Sequence, residues 1–198
     1  EQEALKLSEY EIEFLINSDV QRREFYRKGN LVYSDYYKSD FESYANILAS
    51  EYAIEKCIAI ITKELFGHYT LENALFYDSG GVNTMTVLTL YDSNYDCVAT
   101  ETIHAADKGI PNYTSTTKWY YDRNVNPDDE IFECKYDKYG NLTEINYNNF
   151  HIDPDGQETM VFNASDKDVA QLRNLTGISK NLANYYISSR VTPLTDLP

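Results

Sequence analysis

Histidine, cysteine and basic side chains are all scarce in this sequence: three His, three Cys and 17 Lys plus Arg among 198 residues. His68, His104 and His151 lie far apart, and none falls in a His-Glu-x-x-His or another recognisable catalytic setting. Gly-x-Ser-x-Gly, Gly-x-x-x-x-Gly-Lys and Gly-x-Gly-x-x-Gly are all missing, which removes the common hydrolase, nucleotide and dinucleotide signatures. Cys57, Cys97 and Cys134 are widely spaced with no Cys-x-x-Cys, which argues against a structural zinc site and a disulfide framework. Cys57 reads as a small buried hydrophobe, whereas Cys97 and Cys134 fall in predicted strands where a bond between them is geometrically open. The longest apolar run, Cys57-Ile58-Ala59-Ile60-Ile61, is far short of the ~18 residues a membrane-spanning helix needs.

Against those shortages stand 32 acidic side chains, giving a formal charge of −15. Nucleic acid is therefore excluded as an expected partner, because phosphate would be repelled. The charge is uneven: residues 68–164 carry 16 acids and 5 bases, a net of −11, against −5 for residues 1–67 and +1 for residues 165–198. A cationic partner or ion would be drawn to the middle third. Nineteen tyrosines are the other excess. Tyr33, Tyr36 and Tyr37 cluster, as do Trp119, Tyr120 and Tyr121, and Tyr185 with Tyr186; such residues suit a surface that binds protein or sugar.

Helical signals dominate residues 1–67. Ser8 with Glu11 has the spacing of a capping box, and Ile12, Leu15, Ile16 and Val20 recur at helical intervals. Early acids and late Arg22, Arg23, Arg27 and Lys28 match the helix dipole, with Gly29-Asn30 as a stop, so a helix is predicted over 9–28. Ser39 with Glu42 and a stripe from Tyr44 through Ile54, Ile58 and Ile61 to Leu65 predicts a second helix over 40–66. From Ala74 to Phe162 the period is two. Phe132, Cys134 and Tyr136 alternate with Glu133 and Lys135, the pattern of an antiparallel sheet wetted on one face. Val169 and Leu172 before Gly177, then Ser179 before Leu182, Tyr185 and Tyr186, predict short helices in 165–198.

The expected fold is one α+β domain over 1–198: two N-terminal helices on a curved antiparallel sheet of about five to seven strands, with a short helical C-terminus. By analogy of shape it resembles cystatin-like and nuclear-transport-factor-like folds, which host enzymes and binding modules alike. A pocket between the 40–66 helix and the sheet would be lined by Trp119, Phe132 and Tyr147.

One metal candidate stands out. Asp122, Asn124, Asn126, Asp128, Glu130 and Glu133 have the oxygen-ligand spacing of a calcium loop, and the segment locally resembles an EF-hand loop. Pro127 replaces the glycine that loop needs, and the flanks read as strands. The plainer reading of the segment is an acidic hairpin turn, so no cofactor is expected and calcium is the one candidate. Tyr136-Asp137-Lys138-Tyr139-Gly140-Asn141-Leu142-Thr143 resembles the Tyr-Asp-x-x-Gly-x-Leu-Thr unit of YD-repeat (Rhs-like) proteins, which implies a β-hairpin here.

The leading functional expectation is a non-enzymatic, extracytoplasmic domain whose tyrosine-rich acidic surface recognises a protein or a glycan; the start at Glu1-Gln2 suggests processing. Two rivals stand beside it: a cytoplasmic acidic inhibitor or immunity-type protein blocking a basic partner, and an enzyme with its site between helix and sheet.

Overall fold

The computed structural model describes residues 8–38, 43, 46–47, 57–78, 80–105, 113–122, 131–153, 156–163 and 169–191. Among the described residues there are eleven strands: β1 (Glu9–Ile16), β2 (Asp19–Arg27), β3 (Asn30–Tyr37), β4 (Cys57–Phe66), β5 (Tyr69–Tyr77), β6 (Asn83–Tyr91), β7 (Cys97–His104), β8 (Tyr113–Tyr120), β9 (Phe132–Tyr136), β10 (Leu142–Asp153) and β11 (Gly156–Asn163). Two helices follow, α1 (Val169–Thr176) and α2 (Lys180–Ile187). The strands join one sheet in chain order. Because β3 and β4 run parallel while β1–β2, β2–β3, β8–β9, β9–β10 and β10–β11 are antiparallel, the sheet is mixed. No helix among the described residues is long and apolar enough to cross a membrane.

The two expected N-terminal helices are overturned, and with them the picture of helices laid on a five-to-seven-stranded antiparallel sheet. Residues 9–28 form the β1–β2 hairpin. The acids and bases that mimic a helix dipole are cross-strand ion pairs: Arg27 Nε lies 2.8 Å from Glu9 Oε1, and Arg23 Nε lies 2.9 Å from Glu13 Oε1. Glu9, Glu11 and Glu13 alternate with Tyr10, Ile12 and Phe14, a period of two. Asn17 and Ser18, at φ 51° and 71°, make the tight turn between the strands. Gly29 stops no helix; with Lys28 it closes the next hairpin, at φ 75°. Of the predicted 40–66 helix, Asn46 and Ile47 are helical, their amides bonding to Ser43, residues 40–42, 44–45 and 48–56 lie outside the described residues, and the last ten residues are strand β4. Ile58, Ala59, Ile60 and Ile61 are all buried, so this apolar run is a strand covered on both faces. Cys57 accordingly lies on a strand.

By chain contacts the molecule divides into two compact units. The first comprises residues 1–63, 72–87 and 104–112; the second comprises 64–71, 88–103 and 113–198. In the first, Ile47, Ile58 and Ile60 form a buried cluster with Tyr36 and Tyr77 packed against it. In the second, Phe132, Cys134, Tyr136 and Ile145 of the sheet bury against Leu172, Ile178, Ala183, Tyr185 and Tyr186 of the helical tail. The tail helices are where the sequence predicts them. Ser179 caps α2 by accepting from the Leu182 amide at 3.2 Å, and the Gly177 amide donates to the Arg173 carbonyl at φ 72°.

The hairpin at Tyr136–Thr143 is formed, and its turn occurs three times among the described residues. Asp137 Oδ1 accepts the amides of Tyr139 (2.8 Å) and Asn141 (2.9 Å). Asp78 Oδ1 accepts those of Gly80 (2.9 Å) and Val82 (3.0 Å), and Asp92 Oδ1 those of Asn94 (2.8 Å) and Asp96 (3.0 Å). In each case the residue three beyond the aspartate has positive φ: Gly81 at 81°, Tyr95 at 65° and Gly140 at 80°. Tyr-Asp opens all three turns, a repeated signal spread too thinly along the chain to register as a repeat. Bonds from the Asn141 side chain and the turn amides hold the Asp137 carboxyl below its usual range.

Gly140 tests this geometry. Tyr95 shows that a side chain is tolerated at the equivalent φ, but a Cβ on Gly140 would stand 2.6 Å from Ser189 Oγ. Gly140→Ala is expected to cost about 1–3 kcal/mol in urea denaturation. Gly29→Ala, with φ 75° but nothing within 4 Å, should cost less. Equal losses would refute the Ser189 contact.

Candidate functional site

Register places alternate residues of β1–β4 on one face. Glu9 pairs with Arg27, Glu11 with Phe25 and Glu13 with Arg23; Arg23 then pairs with Asp35, Phe25 with Tyr33, and Asp35 with Ala59. At its centre the rings of Phe25 and Tyr33 stack with centroids 4.1 Å apart and planes 18° from parallel. Tyr33 is 36% exposed and neighbouring Val32 44%, so the stack stands in solvent rather than in a core. Ion pairs surround it: Arg23 Nε with Glu13 (2.9 Å) and Glu11 (3.5 Å), and Lys63 Nζ with Glu72 (2.7 Å). The Arg23 guanidinium and the Lys63 ammonium also lie 5.6 and 5.2 Å from the Tyr37 ring centre.

Two grooves share Tyr33. One, of about 360 Å³, is lined by Glu9, Glu11, Phe25, Tyr26 and Arg27 among others. The second, of about 340 Å³, is lined by Tyr33, Asp35, Ile58, Ala59, Ile61 and Phe76, so Asp35 supplies its only ionisable carboxylate. Burial pushes that carboxyl up to about 6; Arg23 opposes the rise and the like charges of Glu11 and Glu72 add to it. Burial also raises the Tyr33 phenol, helped by Asp35 and Glu11. The arrangement suits recognition: a flat aromatic platform, an apolar trough and carboxylates that accept hydrogen bonds or a cation.

The tyrosine cluster at 33–37 is thus brought together, but on a strand, which sorts it by face. Tyr33 shares its face with Asp35, whereas Tyr36 packs with the buried isoleucines. Of the expected pocket residues, Phe132 is fully buried and lies opposite both Tyr120 and Tyr147 in register. Trp119 pairs instead with Glu133, on the other face of β8–β9, where it is half-buried. Glu133 is engaged by Lys135 Nζ at 3.0 Å and by the Asn146 amide at 2.8 Å. Asp122 lies two residues beyond the end of β8. Asn124, Asn126, Asp128 and Glu130 lie outside the described residues. Among the described residues, no three His, Cys, Asp or Glu side chains are grouped to hold a metal ion.

Cys97 is a free thiol that burial pushes up to about 11, and Cys134 is fully buried on β9. His68 sits in the β4–β5 turn with its ring 4.7 Å from that of Tyr69, His104 ends β7 and His151 lies on β10.

Lys118 is a site that sequence reading missed. It is fully buried on β8, and its ammonium donates to the carbonyls of Tyr185 and Ser188, both at 2.7 Å, with the Tyr185 ring centre 3.5 Å away. Burial pulls this amine down to about 7, against the opposing pull of Cys134 and Glu101. The Tyr136 hydroxyl donates to the Tyr186 carbonyl, so two sheet side chains satisfy carbonyls at the end of α2. Inward alternation of Thr116, Lys118 and Tyr120 was the available signal.

No family model matches the sequence, and no curated protein or solved structure matches it.

Proposed function

We propose that this chain is a non-enzymatic interaction domain, working outside the cytoplasm, that presents a tyrosine-bearing acidic sheet face to a protein or glycan. The observation that carries the reading is the solvent-exposed Phe25–Tyr33 stack between two grooves and a ring of carboxylates. Rings held by neighbours in a strand lose little entropy on binding and offer flat area to a sugar or a side chain. N-terminal sequencing of the protein from its native cells tests its location: a processed start supports it.

Wild type and Tyr33→Ala would be compared on glycan and peptide arrays. Tyr33 is partly exposed, so folding should be preserved, and the strongest binders should weaken by tenfold or more. Unchanged binding by Tyr33→Ala would refute this face. The rival reading, an intracellular blocker of a basic protein, is favoured by one observation: Glu9, Glu11, Glu13, Asp35 and Glu72 outnumber Arg23, Arg27 and Lys63 around the grooves. A steep fall of partner binding with salt would support it.

A further inference from the structure

We infer that the groove beside Asp35 receives a lysine side chain of a partner protein, its alkyl stem along Tyr33, Ile61 and Phe76 and its ammonium on the Asp35 carboxylate. This rests on the interaction-domain reading and names the chemistry of the partner. Three observations carry it. The trough has room for such a stem, at about 340 Å³, and apart from Asp35 its lining is aliphatic and aromatic. The nearby cations are committed elsewhere: Arg23 bonds Glu13 and Glu11, and Lys63 bonds Glu72. Among the described residues the half-buried Asp35 carboxylate makes no ion pair or hydrogen bond, so it stays open to a donor that enters the trough.

Charge points the same way. The groups that face Asp35 are Glu11 from β1, Arg23 from β2, Tyr33 and Tyr37 from β3, Lys63 from β4 and Glu72 from β5. With Glu13, four carboxylates stand against two cations, so a further positive charge is attracted and an anion repelled. Tyr33, which the trough shares with the neighbouring groove, is exposed and can contact a residue beside a lysine presented by a protein surface. Since the carboxyl gains its charge near pH 6, occupancy should fade in acid.

The test is a two-dimensional NMR titration of the whole chain with N-acetyl-lysine methylamide and its norleucine isostere, which has the stem but no ammonium. The lysine compound is expected to shift the amides of Tyr33, Asp35, Ala59 and Phe76, and to bind at least roughly fivefold more tightly than the norleucine compound. Taking the wild type from pH 7.5 to 5.0 should weaken the lysine compound about tenfold, following the ionised share of Asp35. Asp35→Asn, checked for preserved spectral dispersion, should bind both compounds alike. Equal binding of the two by wild type, or an undiminished lysine preference in Asp35→Asn, would overturn the inference. So would free butylammonium binding more tightly than the lysine of Gly-Lys-Gly, which would mark a small-amine site. If lysine preference is missing while Tyr33-dependent array binding persists, this inference alone falls; if both are missing, the interaction face falls with it.

Discussion

Lys118→Met should lower the stability of the second unit by about 2–4 kcal/mol at pH 8, the sum of two buried carbonyls deprived of their donor less the cost of burying the amine. The methionine keeps most of the stem volume, so the loss reports the bonds to Tyr185 and Ser188 rather than a cavity. The wild type should also have an unusual pH profile. Its folded amine titrates at about 7 and the unfolded one near 10.4, so above pH 7 the unfolded chain holds a proton that the folded chain has released. Lys118 therefore makes stability rise with pH, by at most about 1.4 kcal/mol per unit. Glu101, Cys134, Tyr136 and Tyr185 face the amine. The useful window is pH 7–8.5, because Cys97, held protonated up to about 11 in the fold, opposes the trend once an unfolded thiol ionises. The difference in urea midpoint between wild type and Lys118→Met, followed through that window, isolates the lysine. A gap that does not widen with pH would refute the buried, deprotonating amine.

Where one interaction dominates a segment, the sequence was readable. Phe132, Cys134 and Tyr136 alternate with Glu133 and Lys135 because one face of β9 meets the helical tail and the other meets water. Ser179 before Leu182 reads as a cap and is one. The N-terminal third misled because its charges serve two geometries equally. Acids followed by arginines complement a helix dipole, and they also pair across a hairpin; only the Asn17-Ser18 turn decides between them. The run at 57–61 is ambiguous for another reason. An apolar stretch buried on both faces carries no period, so a strand and a buried helix look alike. Tyr33, Tyr36 and Tyr37 stand out in composition, but only a strand separates Tyr33 from Tyr36, and only register brings Asp35 beside Ala59. Lys118 is hidden because a buried lysine makes sense only once the end of α2 arrives to receive it.

Phe132 turns that difference between composition and placement into a measurement. As the lining of an open ligand pocket it could be truncated with little effect on folding. Its ring, however, has no exposure, stacks on Tyr120 at 5.1 Å and meets the edge of Tyr186 at 4.8 Å. Phe132→Ala should therefore cost about 3–5 kcal/mol, combining lost apolar burial with a cavity between β9 and α2. A large share of the ordinary stability of a domain, about 5–15 kcal/mol, would then be consumed. Tyr139→Ala supplies the control, since that ring is 77% exposed and its loss should stay within about 0.5 kcal/mol. The two variants separate the alternatives by urea denaturation. A Phe132→Ala midpoint as high as that of Tyr139→Ala would mean that the ring lines an open space and that the tail does not pack on β9. A large loss would mark Phe132 as the ring that holds the helical tail to its sheet, and leave recognition to the β1–β4 face.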